Sequence, residues 1–202
     1  MEINSKAPIN SLTWFAAGFA SVPVTVVLHE FGHYSAGRFL GWRDIALHYS
    51  TVRLTSGGMV VASAIHAPWK VAVFYIVGPI VSLAFIFVAA LLARRPGPHP
   101  FSAACALSAA VRFLWPLVIG TMLLFGTGRN YLLMDEFYFA VNTGIPPLLS
   151  LFSSAALAAV GFFWMVRRLW HRELALPLVA LAVGVAAGFA FYLRFLGPHL
   201  LP

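Results

Sequence analysis

The sequence predicts an all-α polytopic membrane protein, with about five transmembrane helices and a small membrane-associated β-hairpin or sheet after the first of them. Three observations carry this reading. The 202-residue chain is 61% hydrophobic and only 9% charged, whereas a soluble domain carries roughly 25% charged residues. Its apolar runs are long enough for about five helices of the ~20 residues needed to cross a bilayer. One stretch, Gly41 to His66, departs from that pattern and is rich in β-branched residues.

The first run extends from about Leu12 to Leu40. The residues before it, Met1 to Ser11, are short and polar, and no convincing small-residue cleavage site follows. It is therefore read as a retained membrane helix rather than a signal peptide. Pro23 lies within it and is expected to kink it. In the next segment, Asp44 to Tyr49, Thr51 to Thr55 and Met59 to Ser63 read as short strands, with Ser56-Gly57-Gly58 as the turn. Open sheet edges are not tolerated against lipid, so this sheet belongs at the interface or in a protein cavity. An unpaired edge there can receive an extended peptide.

The second span runs from Trp69 to Leu92 and stops at Arg94-Arg95-Pro96-Gly97-Pro98. The third runs from Phe101 to Phe125 and carries Arg112, which is expected to snorkel or to pair with a buried acid. Gly126 to Gly144 reads equally as loop, half-helix or an extension of the fourth span. That span covers about Ile145 to Val166 and ends at Arg167-Arg168; the fifth covers Leu174 to Leu196. Trp69 and Trp170 sit near segment ends, as in an interfacial aromatic belt. There is no internal repeat, and residues 1–202 read as a single integral-membrane domain.

Composition also excludes functions. The net charge of +7 is dispersed along the chain, with no aromatic-basic groove, so nucleic acid is not an expected partner. The lone cysteine, Cys105, rules out an internal disulfide and a cysteine-based zinc site. Basic residues divide evenly between the two sides, so the positive-inside rule does not choose an orientation.

Within the first span the chain reads His29-Glu30-Phe31-Gly32-His33. Residues four apart share a helix face, so both imidazoles can reach one metal ion. Glu30 beside them is placed to accept a proton from a bound water. With seven histidines and four glutamates in the chain, chance predicts roughly 0.005 copies of this pattern, so composition alone does not produce it. The alternative, two polar residues joining helices, is weaker inside an apolar helix, where ionisable groups are usually functional. Ser21 and Thr25 continue the four-residue spacing, either lining a polar cavity or packing against neighbouring helices.

His29 lies about 25 Å along a helix from Leu12, near the far side of the membrane. Two further crossings return the chain to that leaflet just before Asp135, which is the expected third ligand; the adjacent Glu136 is the alternative. His48 and His66, flanking the β-rich segment, read as interfacial polar residues rather than ligands, and Gly78 and Pro79 as determinants of helix geometry.

These features resemble the site-2 protease-type intramembrane zinc metalloproteases. The likeness covers roughly Val22 to Ala140 and rests on the histidine motif, the β-rich segment, Gly78-Pro79-Ile80-Val81-Ser82 and Met134-Asp135. It implies a metalloprotease-like core over residues 12–145, with 146–202 adding two helices. It further implies Zn2+ held by His29, His33 and Asp135, with Glu30 as catalytic base and acid. Substrate would be aligned as a strand by Val52, Arg53 and Leu54. The implied activity is zinc-dependent cleavage of peptide bonds in or near the transmembrane segments of other proteins. The implied setting is the lipid bilayer of a bacterial cytoplasmic membrane, with a cytosol-facing site and a regulatory membrane partner as a further possibility. Two departures stand out: no proline precedes the aspartate at the family's usual place, and Glu136 stands where the family commonly has glycine. The CAAX-processing type of protease is disfavoured, because Ala140 stands where its Glu-x-x-x-Asp pattern needs aspartate. An ion transporter is disfavoured by the scarcity of intramembrane acids. A non-catalytic metal-binding membrane scaffold, or a degenerate protease homologue, is the remaining alternative.

Overall fold

The computed structural model describes residues 10–43, 45–48, 51–54, 66–93, 99–127, 134–170 and 175–201. Asn10 opens the first helix, α1 (Ser11–Phe39), by accepting a hydrogen bond from Leu12 N at 2.9 Å. The helix runs continuously through Pro23. It ends at Leu40, and Gly41 follows with a φ of 87°, a left-handed conformation that glycine adopts without steric cost.

Strands β1 (Ile45–His48) and β2 (Thr51–Leu54) pair antiparallel, with Ile45 opposite Leu54 and His48 opposite Thr51. The first two predicted strands therefore pair as a hairpin, while Ser56-Gly57-Gly58 and the predicted strand from Met59 to Ser63 lie outside the described residues. The hairpin is held by apolar packing: Trp42 and Ile45 join Val71 and Phe74 in one buried cluster.

The second span is α2 (Pro68–Leu92), with proline in its first turn, where a missing N–H removes no helical bond. The third predicted span is two helices, α3 (Pro100–Arg112) and α4 (Leu114–Leu124), interrupted at Phe113. Pro116 explains the break: it has no N–H for the carbonyl of Arg112, and its ring crowds that carbonyl. Arg112 is thus the last residue of α3 and lies midway along the Pro100–Leu124 segment. The ambiguous stretch before the fourth span contains a separate short helix, α5 (Asp135–Thr143), ended by Gly144 at a φ of 75°. Helix α6 (Pro147–Trp170) follows, continuing past Arg167 and Arg168. The last span comprises α7 (Ala175–Phe191), a π-helical turn over Tyr192–Leu196, and α8 (Gly197–Leu200). Pro198 cannot donate to the Arg194 carbonyl, and the backbone relaxes into the wider turn there.

Among the described residues, five helical segments are long and apolar enough to cross a membrane: Ser11–Phe39, Pro68–Leu92, Pro100–Leu124, Pro147–Leu169 and Ala175–Leu200. Their outward faces carry exposed Leu117, Val118, Val160, Phe163, Val179 and Val183, which lipid would cover. Inside, Trp14, Met165, Leu169 and Leu181 pack with a group of alanines from α2 and α3. Helices α1 and α7 approach closely because glycine lines their contact. A β-carbon on Gly184 would meet the Phe15 backbone, and one on Gly188 would lie 2.7 Å from the Phe19 carbonyl oxygen. This packing fixes α1, and with it the histidine motif, against the rest of the bundle.

Candidate metal centre

His29 and His33 lie one turn apart on the buried face of α1, each 4% exposed. Their orientation comes from α2, whose residues Phe74, Gly78 and Ser82 follow the same four-residue spacing. At one end of that face, His33 Nδ1 donates to the Phe74 carbonyl oxygen at 2.7 Å. At the other, His29 Nδ1 lies 2.9 Å from Ser82 Oγ. Between them, Gly78 leaves room for the rings: a β-carbon there would lie 2.6 Å from His33 Cε1 and 2.7 Å from His29 Cε1. Gly78 was expected to set helix geometry; its contact with the two imidazoles gives it a direct role in shaping the site.

Both Nε2 atoms turn toward the start of α5. Each lies 3.2 Å from Asp135 Oδ2, and they are 3.1 Å from one another. His29, His33 and Asp135 therefore form a group that can hold a metal ion, each with one ligand atom directed at the others. Two features of the donor set fit an ion. The Phe74 carbonyl can only accept, so His33 Nδ1 carries the hydrogen and the neutral ring presents a lone pair at Nε2. Three electron-rich atoms this close repel one another unless a proton or a cation lies between them. Their separations also approach the ~3.3 Å expected between ligands of a tetrahedral zinc ion with bonds near 2.0–2.1 Å.

Arg112, at the end of α3, reaches across to α5. Its Nη2 bonds Asp135 Oδ2, and Nη1 donates to Glu136 Oε1 at 3.0 Å. The expected pairing of Arg112 with a buried acid is thus realised at Glu136, and the half-buried Asp135 is a second partner. Burial by itself would raise the Asp135 carboxyl; the guanidinium and the two imidazoles outweigh it and hold that group well below the ordinary carboxylate range. Glu136 points into the bundle at 0% exposure, toward Arg112. Its own backbone carbonyl accepts a hydrogen bond from Ser150 Oγ on α6. Of the two candidate third ligands, Asp135 stands with the imidazoles and Glu136 is engaged elsewhere. His48 and His66 are not in the group.

A cavity of about 400 Å³ opens onto these atoms, lined by His29, Glu30, His33, Asp135, Arg112 and Tyr138 among others. Thr51 and Val52 of β2 also line it. Of the predicted strand residues, Val52 therefore reaches the site, while the side chains of Arg53 and Leu54 lie outside the described residues. A second cavity of about 280 Å³ also reaches His29, Glu30 and Arg112, and is walled by Thr25, Ser82 and Ser108. Thr25 Oγ1 and Ser108 Oγ are 2.6 Å apart. The expected polar line on α1 divides accordingly: Thr25 borders a cavity, and Ser21 bonds back to the Gly18 carbonyl of its own helix.

Sequence reasoning named Ser82 without giving it a role at the site, and overlooked the Phe74 carbonyl and the stacked Tyr75–Tyr138 pair, whose ring centroids are 4.7 Å apart. Ser82 had a legible signal: with Gly78 it forms a small-polar pair four residues apart in an otherwise apolar helix. The chain matches no protein-family model, no curated protein and no solved structure.

Proposed function

We propose that this chain is a zinc-dependent intramembrane endopeptidase that hydrolyses peptide bonds in or near the transmembrane segments of other membrane proteins. One observation carries the reading. Two imidazoles on a membrane-spanning helix and an acid a hundred residues away converge beside Glu30 at the wall of a cavity. Structural polar residues inside a bundle need partners, but not a set of ligand atoms facing one another.

His29, His33 and Asp135 would hold the ion, with Ser82 and Phe74 orienting the rings. When bound, a divalent ion polarises a carbonyl oxygen and lowers the pKa of a coordinated water to roughly 7. Glu30 takes the proton released as water attacks, and returns it to the leaving amine nitrogen. The β2 strand, through Thr51 and Val52, borders the same cavity and offers backbone to an extended peptide. Substrates would need local unwinding to enter, since a helical peptide has no backbone groups to pair.

The test is a comparison of wild type with Glu30→Gln in proteoliposomes carrying a panel of tagged single-span proteins. Wild type should bind zinc and release fragments, and Glu30→Gln should retain the zinc and release none. Equal cleavage by both would remove Glu30 from its role. Zinc bound without cleavage by either would favour the metal-binding scaffold.

A further inference from the structure

Once the three ligands and Glu30 have been placed, Arg112 and Glu136 still lack a role, although both lie in the same constellation. The guanidinium spans the first turn of α5, with Nη1 on Glu136 Oε1 at 3.0 Å and Nη2 on Asp135 Oδ2. That Oδ2 is the atom facing both imidazoles. Arg112 therefore bonds the oxygen that an ion would share. Glu136, meanwhile, has a second oxygen, Oε2, that is buried and has no hydrogen-bond partner among the described residues. An unsatisfied buried carboxylate oxygen is destabilising and uncommon. The guanidinium fork is well shaped to hold both oxygens of one carboxylate.

We propose that Arg112 is an internal counter-cation of the metal centre: it sits on Asp135 while the ion is away, and moves onto both oxygens of Glu136 when the ion binds. The proposal rests on the metal-centre reading of His29, His33 and Asp135, and not on proteolysis. It gives the two adjacent acids separate tasks, Asp135 as ligand and Glu136 as the resting place of the guanidinium. Charge supports the exchange. Glu30, Asp135 and Glu136 oppose a single guanidinium; with all three acids ionised, a divalent ion brings the formal charge to zero. Arg112 alone leaves it negative, in a region where unbalanced charge is unfavourable. Arg112 and Glu136 are thus positioning residues: they set how readily Asp135 is released to the ion. A plain structural strut between α3 and α5 would hold with or without the ion, and removing it would weaken the site.

The test uses the full chain purified in detergent, stripped of metal with a chelator, then titrated with Zn2+ against a chromophoric competitor and with Co2+ by visible absorption. Glu136→Gln leaves the guanidinium on Asp135, and zinc affinity should fall about tenfold or more, within the range seen when groups supporting a ligand are changed. Adding Arg112→Gln removes the competitor, so the double variant should regain wild-type affinity and a wild-type cobalt spectrum. Arg112→Lys keeps a cation without the fork, and should bind zinc as weakly as Glu136→Gln. The proposal is overturned if Glu136→Gln binds zinc like wild type, or if the double variant binds more weakly than the single one. Should the double variant fail to fold, wild-type affinity in Arg112→Lys overturns it alone. Wild type that binds no zinc would remove the metal centre itself.

Discussion

His33 Nδ1 donates to the carbonyl oxygen of Phe74 at 2.7 Å, and this one bond decides which nitrogen of the ring faces Asp135. A backbone carbonyl cannot donate, so the hydrogen belongs to Nδ1 and the lone pair of the neutral ring to Nε2. Pro79, one turn on, removes the helical donor for the neighbouring Tyr75 carbonyl. The same stretch of α2 therefore combines a loosened helical ladder with a carbonyl turned to an external partner. His29 is set less firmly, because Ser82 Oγ can either donate or accept.

Ser82→Ala should consequently lower zinc affinity about 10- to 100-fold, the range for a lost partner behind a metal ligand. The hydroxyl is small and sits among helices, so helicity by circular dichroism should remain that of wild type. Zinc titration of the folded variant checks this, and unchanged affinity would show that Ser82 does not orient His29.

Gly78→Ala should be more damaging than its single added methyl suggests. The β-carbon would occupy space taken by both imidazoles, forcing either the rings or the α1–α2 contact to shift. Overpacking of this kind costs about 1–3 kcal/mol, and metal binding should be lost even where the protein still folds. The paired measurement is zinc stoichiometry together with the unfolding midpoint in detergent. Full zinc occupancy would mean that the rings tolerate displacement.

The spans and the site were unequally legible in the sequence. Length and hydropathy mark spans well, because a bilayer imposes its thickness on every helix that crosses it. Accordingly α1 and α2 end within a residue or two of expectation. The third span, Phe101 to Phe125, matches Pro100–Leu124, but its break at Phe113 was not foreseen, because hydropathy does not register the carbonyl that Pro116 leaves without a donor. At the site, His29 and His33 were readable because both ligands belong to one helix and obey its period. Asp135 was reached only by counting crossings and by resemblance. Choosing it over Glu136 needs the rotation of α5, which neighbouring residues do not encode. The partners of Ser82, Phe74 and Arg112 are set by contacts between helices: the Gly78–Ser82 spacing marks a small-polar face, but not the imidazole that meets it.

Gly184→Leu tests the packing that holds α1 in place. Any β-carbon at position 184 meets the Phe15 backbone, so a branched side chain must push α7 away from α1. A loss of about 1–3 kcal/mol is expected from overpacking, read as a lower unfolding midpoint in a detergent titration. Because the contact lies well before His29 along α1, metal affinity in the folded fraction should change less than stability does. An unchanged midpoint would mean that the two helices are not held at this distance.

Ion binding should itself stabilise the protein, since the ligands are assembled only in the fold. At a free zinc concentration of 100 times Kd, a ligand specific for the native state adds about 2.7 kcal/mol. Removing zinc with a chelator should lower the unfolding midpoint accordingly. The effect should be centred on α5, which supplies Asp135 to the two imidazoles. In Asp135→Asn the zinc-dependent increment should shrink sharply, whereas Glu136→Asp, which keeps a carboxylate for Arg112, should retain most of it. An equal increment in wild type and Asp135→Asn would place the stabilising ion somewhere other than between His29 and His33.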